Sequence, residues 1–460
     1  MKIEKKLWIT LFAFGIFAIC FSGWIFRQST AREKLFWDNT IRCETKELKE
    51  GEIKSENIAL PEDFDVPKSI LFKTTHTIAE VWLDGEKIYE YGNEADAPGF
   101  MKTPGSCWHI VDIPGDSSGK NLEVRIIPVY EGYYGNEVSL VYGTRGDCIL
   151  KILTDSLGIL VISCGILFAA VICILLYCGA ARRKRSDKTE AKIEIFLNLG
   201  FFSLLVAVWT LVQCGFLQFL IPDGRTLYFV EYFSLFLFPV PFNFLLYDIC
   251  KSRYHKGALI FSILYLTNMA VDVLLQCTGI IDMSRLLSVI HVIMVANVVY
   301  TVVIILYEAG KKENDVAQKF RYPMCVVMGF GMAEMIFYYL RRFEQISILL
   351  SMGTMLFIIM LIWIQVSQYY DQYIQKQKVI YLQKIANMDM LTEAMNRNAY
   401  EDMVKYLDEG EIKLSTTGVV VFDLDDLKVI NDNFGHIVGD KVLQTFGRFL
   451  QSQFREYDVV

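Results

Sequence analysis

Long apolar runs dominate this chain, and their spacing sets out its organisation. Met1–Lys6 is basic and Leu7–Phe26 is an unbroken apolar run of bilayer-spanning length. A signal peptide would have a shorter apolar region ending in small residues. This run ends in Trp24-Ile25-Phe26, so residues 1–26 are expected to form an uncleaved anchor. From Asp155 to Gln365, seven further runs alternate with short polar loops: Leu157–Cys178, Ile193–Leu220, Leu227–Cys250, Leu259–Cys277, Leu286–Tyr307, Met324–Leu340 and Ile346–Ile364. Residues 155–365 therefore predict a helical transmembrane bundle. Residues 366–388 continue as a polar helix in which Ile374, Tyr381 and Met388 fall seven apart, with Ile385 between the last two. That spacing suits a parallel coiled coil; Gln377 and Lys378 interrupt it, and a solvated single helix is the alternative.

Residues 27–151 have a different rhythm. Ile78–Tyr91 predicts a hairpin in which Asp84-Gly85 supplies a type I′ turn between two alternating strands. Further strands are expected at Ser69–Thr75, Trp108–Ile113, Leu122–Val129, Val138–Tyr142 and Cys148–Leu153. Short strands punctuated by Gly, Pro and Asn indicate an all-β sandwich, jelly-roll-like in layout. Trp82, Trp108, Tyr130, Tyr133 and Tyr134 either stack on a flat ligand, such as a carbohydrate, or fill the sandwich core. His76 and His109 carry no metal-site spacing and are read as structural.

Composition sharpens the membrane reading. The 460 residues are 53% hydrophobic with mean hydropathy +0.33, so much apolar surface is expected to face lipid. A net charge of −7 argues against a nucleic-acid partner. Of the 11 cysteines, Cys43, Cys107 and Cys148 share one polar segment, which allows at most one disulfide. Basic residues crowd alternate loops: Arg182-Arg183-Lys184-Arg185, Lys251/Arg253/Lys256 and Lys311/Lys312/Lys319/Arg321. The intervening loops carry only Arg225, Arg285 and Arg341-Arg342. The positive-inside rule then places both termini in the cytoplasm and residues 27–151 outside it. Ionisable residues within the spans are expensive in lipid, which singles out Glu231, Asp272 and Glu334 as candidate intramembrane sensing groups. Hydrogen bonding between helices is the competing reading. Pro239 and Pro241 are expected to kink their helix.

The densest chemistry lies in Phe422–Asp440, FDLDDLKVINDNFGHIVGD. The apolar run Gly418–Phe422 predicts a buried strand delivering Asp423 and Asp425 to one face, as a hard cation such as Mg²⁺ requires. Asn431, Gly435, His436, Gly439 and Asp440 follow in a polar, glycine-punctuated loop. An amphipathic helix is expected from about Val438, with Val442, Leu443, Phe446, Phe449, Leu450 and Phe454 as its stripe.

This string resembles the first half of a GGDEF domain, the diguanylate cyclase family. The family pattern runs D-x-L-T-x-x-x-N-R, then D-x-D-x-[FL]-K-x-x-N-D-x-x-G-H-x-x-G-D, then R-x-x-D. Here the first motif is Asp389-Met-Leu391-Thr392-Glu393-Ala-Met-Asn396-Arg397 and the last is Arg455-Glu-Tyr-Asp458. Glu393 stands where glycine is usual, and Leu427 where phenylalanine is usual. The resemblance covers about Met388–Val460 and implies a ferredoxin-like α/β domain over 389–460. It implies that two GTP molecules are joined into cyclic di-GMP with release of pyrophosphate, each held by one protomer of a homodimer. Carried over by position, Asp423 and the Leu424 carbonyl hold Mg²⁺ or Mn²⁺. Leu427 and Lys428 touch phosphate, Asn431 and Asp440 read the guanine edge, and Gly435 and His436 lie against the nucleotide. Arg455 and Asp458 match the product-inhibition motif.

The sequence reaches Val460 before a GGDEF signature, so the expectation is a truncated, inactive α/β domain. The overall layout is similar to bacterial seven-transmembrane receptors with diverse intracellular modules. That implies a multi-pass protein of the bacterial cell membrane, with an external small ligand and lipid as partners. Two alternatives stand beside a cyclic di-GMP-making receptor. One is a non-catalytic receptor whose degenerate GGDEF domain binds nucleotide or a partner. The other is a transporter with an appended tail, which lacks an evident inverted repeat.

Overall fold

The computed structural model describes residues 40–42, 54–60, 67–93, 98–130, 139–184, 194–311, 313–340, 347–409 and 418–455. The expected anchor Leu7–Phe26, Tyr133, Tyr134, Cys43 and Asp458 lie outside the described residues. The chain divides into two units, Met1–Ile362 and Trp363–Val460.

Among the described residues the first unit has eight strands: β1 (Thr40–Arg42), β2 (Lys54–Ala59), β3 (Lys68–Thr75), β4 (Thr77–Leu83), β5 (Glu86–Tyr91), β6 (Ser106–Ile113), β7 (Asn121–Pro128) and β8 (Ser139–Gly143). They form two antiparallel four-stranded sheets, ordered β1-β8-β3-β6 and β2-β7-β4-β5. Alternation along each strand explains the pairing of the sheets. Ile70, Phe72, Val111 and Ile113 of one sheet meet Ala79, Val81, Leu122 and Val124 of the other in a single buried core. The hairpin turn forms as expected, with Asp84 and Gly85 both at positive φ (49° and 87°).

Of the two buried histidines, His76 lies at Thr103 and the Tyr228 ring, while His109 lies against this core with its ring centroid 4.9 Å from that of Phe72. His109 Nε2 lies 2.6 Å from Thr74 Oγ1 and its Nδ1 2.9 Å from the Tyr89 hydroxyl. Burial pushes its pKa down to about 3, so the ring is neutral. Cys107 and Cys148 are both buried free thiols.

One expected strand is a helix. Cys148–Leu153 lies in α1 (Arg145–Lys184). Its start is fixed by a reciprocal cap: Thr144 N and Oγ1 donate to Asp147 Oδ2, and Asp147 N donates to Thr144 Oγ1. Cys148 and Ile152, four residues apart on one helix face, then pack with Leu71 and Val141 on the back of the first sheet.

The helices that follow are α2 (Glu194–Gln213), α3 (Gly224–Leu237), α4 (Pro239–Ile249), α5 (Lys256–Cys277), α6 (Leu287–Ala309), α7 (Asp315–Leu340) and α8 (Ile348–Asn387). With α1, and with α3 and α4 counted as one span, they give, among the described residues, seven segments long and apolar enough to cross a membrane. Pro239 does more than kink its span: it opens a new helix after Phe238. Large apolar side chains line the outside of the bundle, among them Phe168, Ile260 and Val292, 69%, 60% and 70% exposed. Such a surface suits lipid.

The sandwich is docked on the loops between α2 and α3 and between α5 and α6. The Gln218 side chain pairs with both backbone groups of Trp108, at 2.8 and 2.5 Å. At Gly105 an added Cβ would lie 2.2 Å from the Gly224 carbonyl oxygen, so only glycine permits this approach. Asp282 sits in the middle of the junction, 5% exposed. It accepts from the Tyr130 hydroxyl, from Gln276 Nε2 (2.6 Å) and from the Lys102 and Thr103 backbone N–H groups (both 3.3 Å).

These contacts decide the fate of the sandwich aromatics. Tyr130 is buried on Asp282, and Trp108 lies against the bundle. Trp82 sits on the outer face of its sheet, with the Arg125 guanidinium 4.4 Å above its ring and its Nε1 donating to Glu80.

Candidate functional site

In the second unit, the last turn of α8 leads into a loop tied by the side chains of the first motif. Asp389 Oδ1 accepts from Leu391 N (3.0 Å), Thr392 N (2.9 Å) and Thr392 Oγ1 (3.0 Å). The Thr392 donors in particular hold its carboxyl below the usual aspartate pKa. Asn396 caps α9 (Arg397–Asp408) by accepting from Ala399 N, while its Nδ2 donates back to the Ala386 carbonyl at 2.8 Å. Asn396 thus clasps the end of α8 to the start of α9.

Glu393 in this loop has φ +60°, and its carbonyl accepts from Gln451 Nε2 at 2.7 Å. A β-carbon in that conformation costs about 1–2 kcal/mol. Part of this is offset by the lower unfolded-chain entropy of a non-glycine residue. Glu393→Gly is expected to stabilise the unit by about 0.5–1 kcal/mol. Urea unfolding of the detergent-solubilised chain measures this, and an unchanged or lowered midpoint would refute it.

The segment 418–424 departs from expectation. It is not strand but an unpaired backbone stretch, with Val419, Val420 and Val421 at 75%, 64% and 88% exposure. A strand exists only through a partner's hydrogen bonds, and among the described residues none lies alongside. The described part of this unit is accordingly helical, and the ferredoxin-like sheet is not seen in it. Phe422 does anchor the segment, its ring centroid 6.3 Å from those of both Phe446 and Phe454. Asp423 and Asp425 are exposed at its end.

The expected polar loop is also different: it is two helices. α10 (Leu427–Phe434) contains Asn431, and α11 (His436–Gln453) begins two residues before Val438. Leu427, Ile430 and Phe434 share one face of α10 at helical spacing. Gly435, at φ +83°, makes the break between the helices and donates its N–H to the Asn431 carbonyl at 2.8 Å.

The turn brings Asn431 and Gly439 together. Gly439 is buried, and a Cβ placed on it would lie 1.8 Å from Asn431 Oδ1. The Asn431 carboxamide therefore rests on bare helix backbone, one residue from Asp440. His436, Asp440 and Lys428 are exposed, and Leu427 is half-buried. Arg455 is exposed at the end of the described chain. Beside these residues an open groove of about 530 Å³ is lined by Leu424, Val438, Val442, Thr445, Phe446 and Phe449.

The ionisable residues of the spans have particular neighbours. Glu334 accepts from Ser347 N, Leu349 N and Leu350 N at 2.7, 2.7 and 3.0 Å, which caps the start of α8. Asp272 is buried and accepts from Asn268 Nδ2, one turn away on α5, at 2.7 Å. Glu231 accepts from Gln213 Nε2 at 2.7 Å. Sequence reading missed Asp282, a loop residue whose partners come from distant segments, and Glu308. The latter is fully buried and accepts from Lys251 N and Ser252 N, both at 3.0 Å.

Residues 386–460 match the family described as "Diguanylate cyclase, GGDEF domain". The diguanylate cyclase VdcA of Vibrio cholerae is 32% identical over 82 residues, 18% of this chain and 23% of that protein. The diguanylate cyclase DgcZ of Escherichia coli is 34% identical over 82 residues, 18% of this chain and 27% of that protein. The cyclic di-GMP phosphodiesterase NbdA of Pseudomonas aeruginosa is 35% identical over 80 residues, 17% of this chain and 10% of that protein. The chain thus spans about a quarter of these relatives' length or less. No solved structure matches the chain.

Proposed function

We propose, from a C-terminal segment that belongs to the GGDEF family, that this chain is a membrane-embedded cyclic di-GMP signalling receptor whose second unit binds GTP. The observation that carries the reading is the seat of Asn431 on Gly439, which holds an amide beside the Asp440 carboxylate. An amide and a carboxylate together suit the guanine edge, which presents both donors and acceptors. Leu427 and Lys428, in the first turn of α10, stand where backbone N–H groups and a cation favour phosphate.

The Asp423 carboxylate and the Leu424 carbonyl are hard oxygen donors on an exposed segment, and they fit a magnesium or manganese ion. Bound there, such an ion would neutralise phosphate charge. Among the described residues no three His, Cys, Asp or Glu side chains gather into a metal site. The remaining ligands would come from nucleotide, water or other residues, and the described residues alone are expected to bind rather than turn over GTP.

Cyclic di-GMP formation needs two such units face to face. In α8, Ile374 and Tyr381 are 44% and 62% exposed at heptad spacing, which supports pairing of two chains through the connector. The sandwich contacts the loops carrying few basic residues, while the Lys251 and Lys311 loops lie elsewhere in the fold. This supports an external sandwich and a cytoplasmic C-terminus.

A second reading is a receptor whose GGDEF segment binds nucleotide without catalysis. The match to a protein named as a phosphodiesterase favours keeping it. Titrating the full chain in nanodiscs with a fluorescent GTP analogue and Mg²⁺ tests the shared premise, with chromatography for cyclic di-GMP separating the two readings. Saturable binding abolished by Asp423→Ala with Asn431→Ala is expected; no saturable binding would overturn the proposal.

A further inference from the structure

At the end of the bundle away from the sandwich, cations and tyrosines from two segments meet on one surface. The loop between α5 and α6 carries Asp282 and docks the sandwich, so the start of α5 and the end of α6 lie at the opposite end. Tyr254 sits in the short turn Arg253–His255 that opens α5, and Tyr307 in the last turn of α6; their ring centroids are 5.8 Å apart. The Arg253 guanidinium stands 5.0 Å from the Tyr254 centroid, and the Lys311 ammonium 4.5 Å from that of Tyr307. Tyr300 fixes this arrangement. Its hydroxyl donates to the Tyr254 carbonyl at 2.7 Å, and a Cβ on Gly257 would lie 2.7 Å from its ring.

Both cations can take a further partner. Arg253, Tyr254, Tyr307 and Lys311 are all exposed. Arg253 Nη2 donates to the Tyr254 hydroxyl at 3.0 Å, which uses one of several guanidinium donors. Lys311 Nζ is 3.8 Å from Glu308 Oε1, but the Glu308 oxygens already accept from Lys251 N, Ser252 N and Asn314 Nδ2 at 3.0, 3.0 and 2.9 Å. Beyond the tyrosines the surface turns apolar. Ile260, Ile263 and Leu264 of α5 and Val299, Val303 and Leu306 of α6 are exposed at helical spacing. The 22 residues of α5 rise about 33 Å, close to the hydrocarbon thickness of a bilayer. With the sandwich at one membrane surface, Tyr254 stands at the level of the headgroups of the other.

We propose that Arg253 and Lys311, held on the Tyr254–Tyr307 pair, bind the phosphate of an anionic phospholipid whose acyl chains lie along the apolar outer face of α5 and α6. Phosphate oxygens accept charge-assisted hydrogen bonds from both cations. The tyrosine rings, apolar in body and polar at the tip, suit the boundary between headgroup and hydrocarbon. A soluble phosphate would meet the same cations but gain nothing from the apolar face, and that continuity selects a lipid. Bound there, the lipid bridges the start of α5 to the end of α6. The inference rests on the membrane-spanning reading and is independent of nucleotide binding.

The test is native mass spectrometry of the detergent-solubilised full chain, counting the lipids it retains in titrations with phosphatidylglycerol and phosphatidylcholine, each with and without inorganic phosphate. Phosphatidylglycerol should be preferred by at least about 10-fold. Arg253→Gln and Lys311→Gln should each weaken its binding by about 5-fold, and the double variant by about 25-fold. Lys319→Gln removes an exposed cation of α7 at the same end of the bundle but outside the tyrosine pair, and should leave the affinity within about 2-fold of the parent's. Inorganic phosphate should not displace the lipid. A thermal unfolding midpoint near that of the parent chain identifies variants that remain folded. The proposal is overturned if the two lipids are held equally, if the folded Arg253 and Lys311 variants bind as the parent does, if Lys319→Gln weakens binding as much as they do, or if inorganic phosphate competes. A chain that stays monodisperse without detergent would overturn the membrane reading itself, whereas lost lipid preference in a detergent-dependent chain overturns this inference alone.

Discussion

Replacing Asp282 by alanine is expected to weaken the attachment of the sandwich to the bundle by roughly 2–5 kcal/mol. The carboxylate accepts from the Tyr130 hydroxyl, Gln276 Nε2 and the backbone N–H groups of Lys102 and Thr103, all at a buried junction. Alanine leaves these donors without an acceptor in a place water reaches poorly, at about 1–3 kcal/mol for each group left unsatisfied. Neither layer's own core includes Asp282, so both should stay folded while the junction loosens. Hydrogen exchange at residues 101–105 and 276–284 measures this directly. Exchange should rise in both segments of Asp282→Ala and rise less in Asp282→Asn, which keeps one acceptor oxygen. Equal protection in Asp282→Ala and the parent chain would show that the junction is held by other contacts.

The second large effect is expected at Gly439. Its α-carbon is covered by the Asn431 carboxamide, and Gly439→Ala would place a methyl group 1.8 Å from Oδ1. The atom in the way is the end of a rotatable side chain, so the helix pair can survive by turning Asn431 aside. The amide would then no longer stand beside Asp440. GTP affinity should fall roughly 10- to 100-fold, the loss expected when one polar recognition group is removed from a bound base. Asn431→Ala should fall by a similar factor, and the double variant little further, because both changes remove the same amide. Fluorescent-nucleotide titration of the three variants reads this. Additive losses would mean that Gly439 acts on the nucleotide by another route.

Much of the architecture was legible because local pattern and tertiary environment agreed. The spans were visible as apolar runs because lipid accepts only long apolar segments whose backbone groups are satisfied internally. The Asp84-Gly85 hairpin was visible because few residues tolerate positive φ at both turn positions. Cys148–Leu153 failed because a short apolar run suits strand or helix equally. The deciding signal was the Thr144–Asp147 cap just upstream. At Leu427–Phe434, polar residues and the following glycine suggested a loop, although Leu427, Ile430 and Phe434 already carried a helical period.

The candidate site divides along the same line. Asp423, Asn431, His436 and Asp440 could be named from sequence because the motif preserves their order and spacing. The reason Gly439 must be glycine was not visible there, since it depends on a side chain eight positions earlier folding back across a helix break.

By itself the sequence determined the apolar spans, the alternating strands and the GGDEF-type nucleotide motif. Each is written in residues near one another in the chain, whose periodicity and chemistry act locally. Only the tertiary structure decided that Glu334 caps a helix, that Asp282 joins sandwich to bundle, and that Glu308 accepts from the backbone of Lys251 and Ser252. Those roles depend on partners that folding alone brings within hydrogen-bonding or Coulombic range.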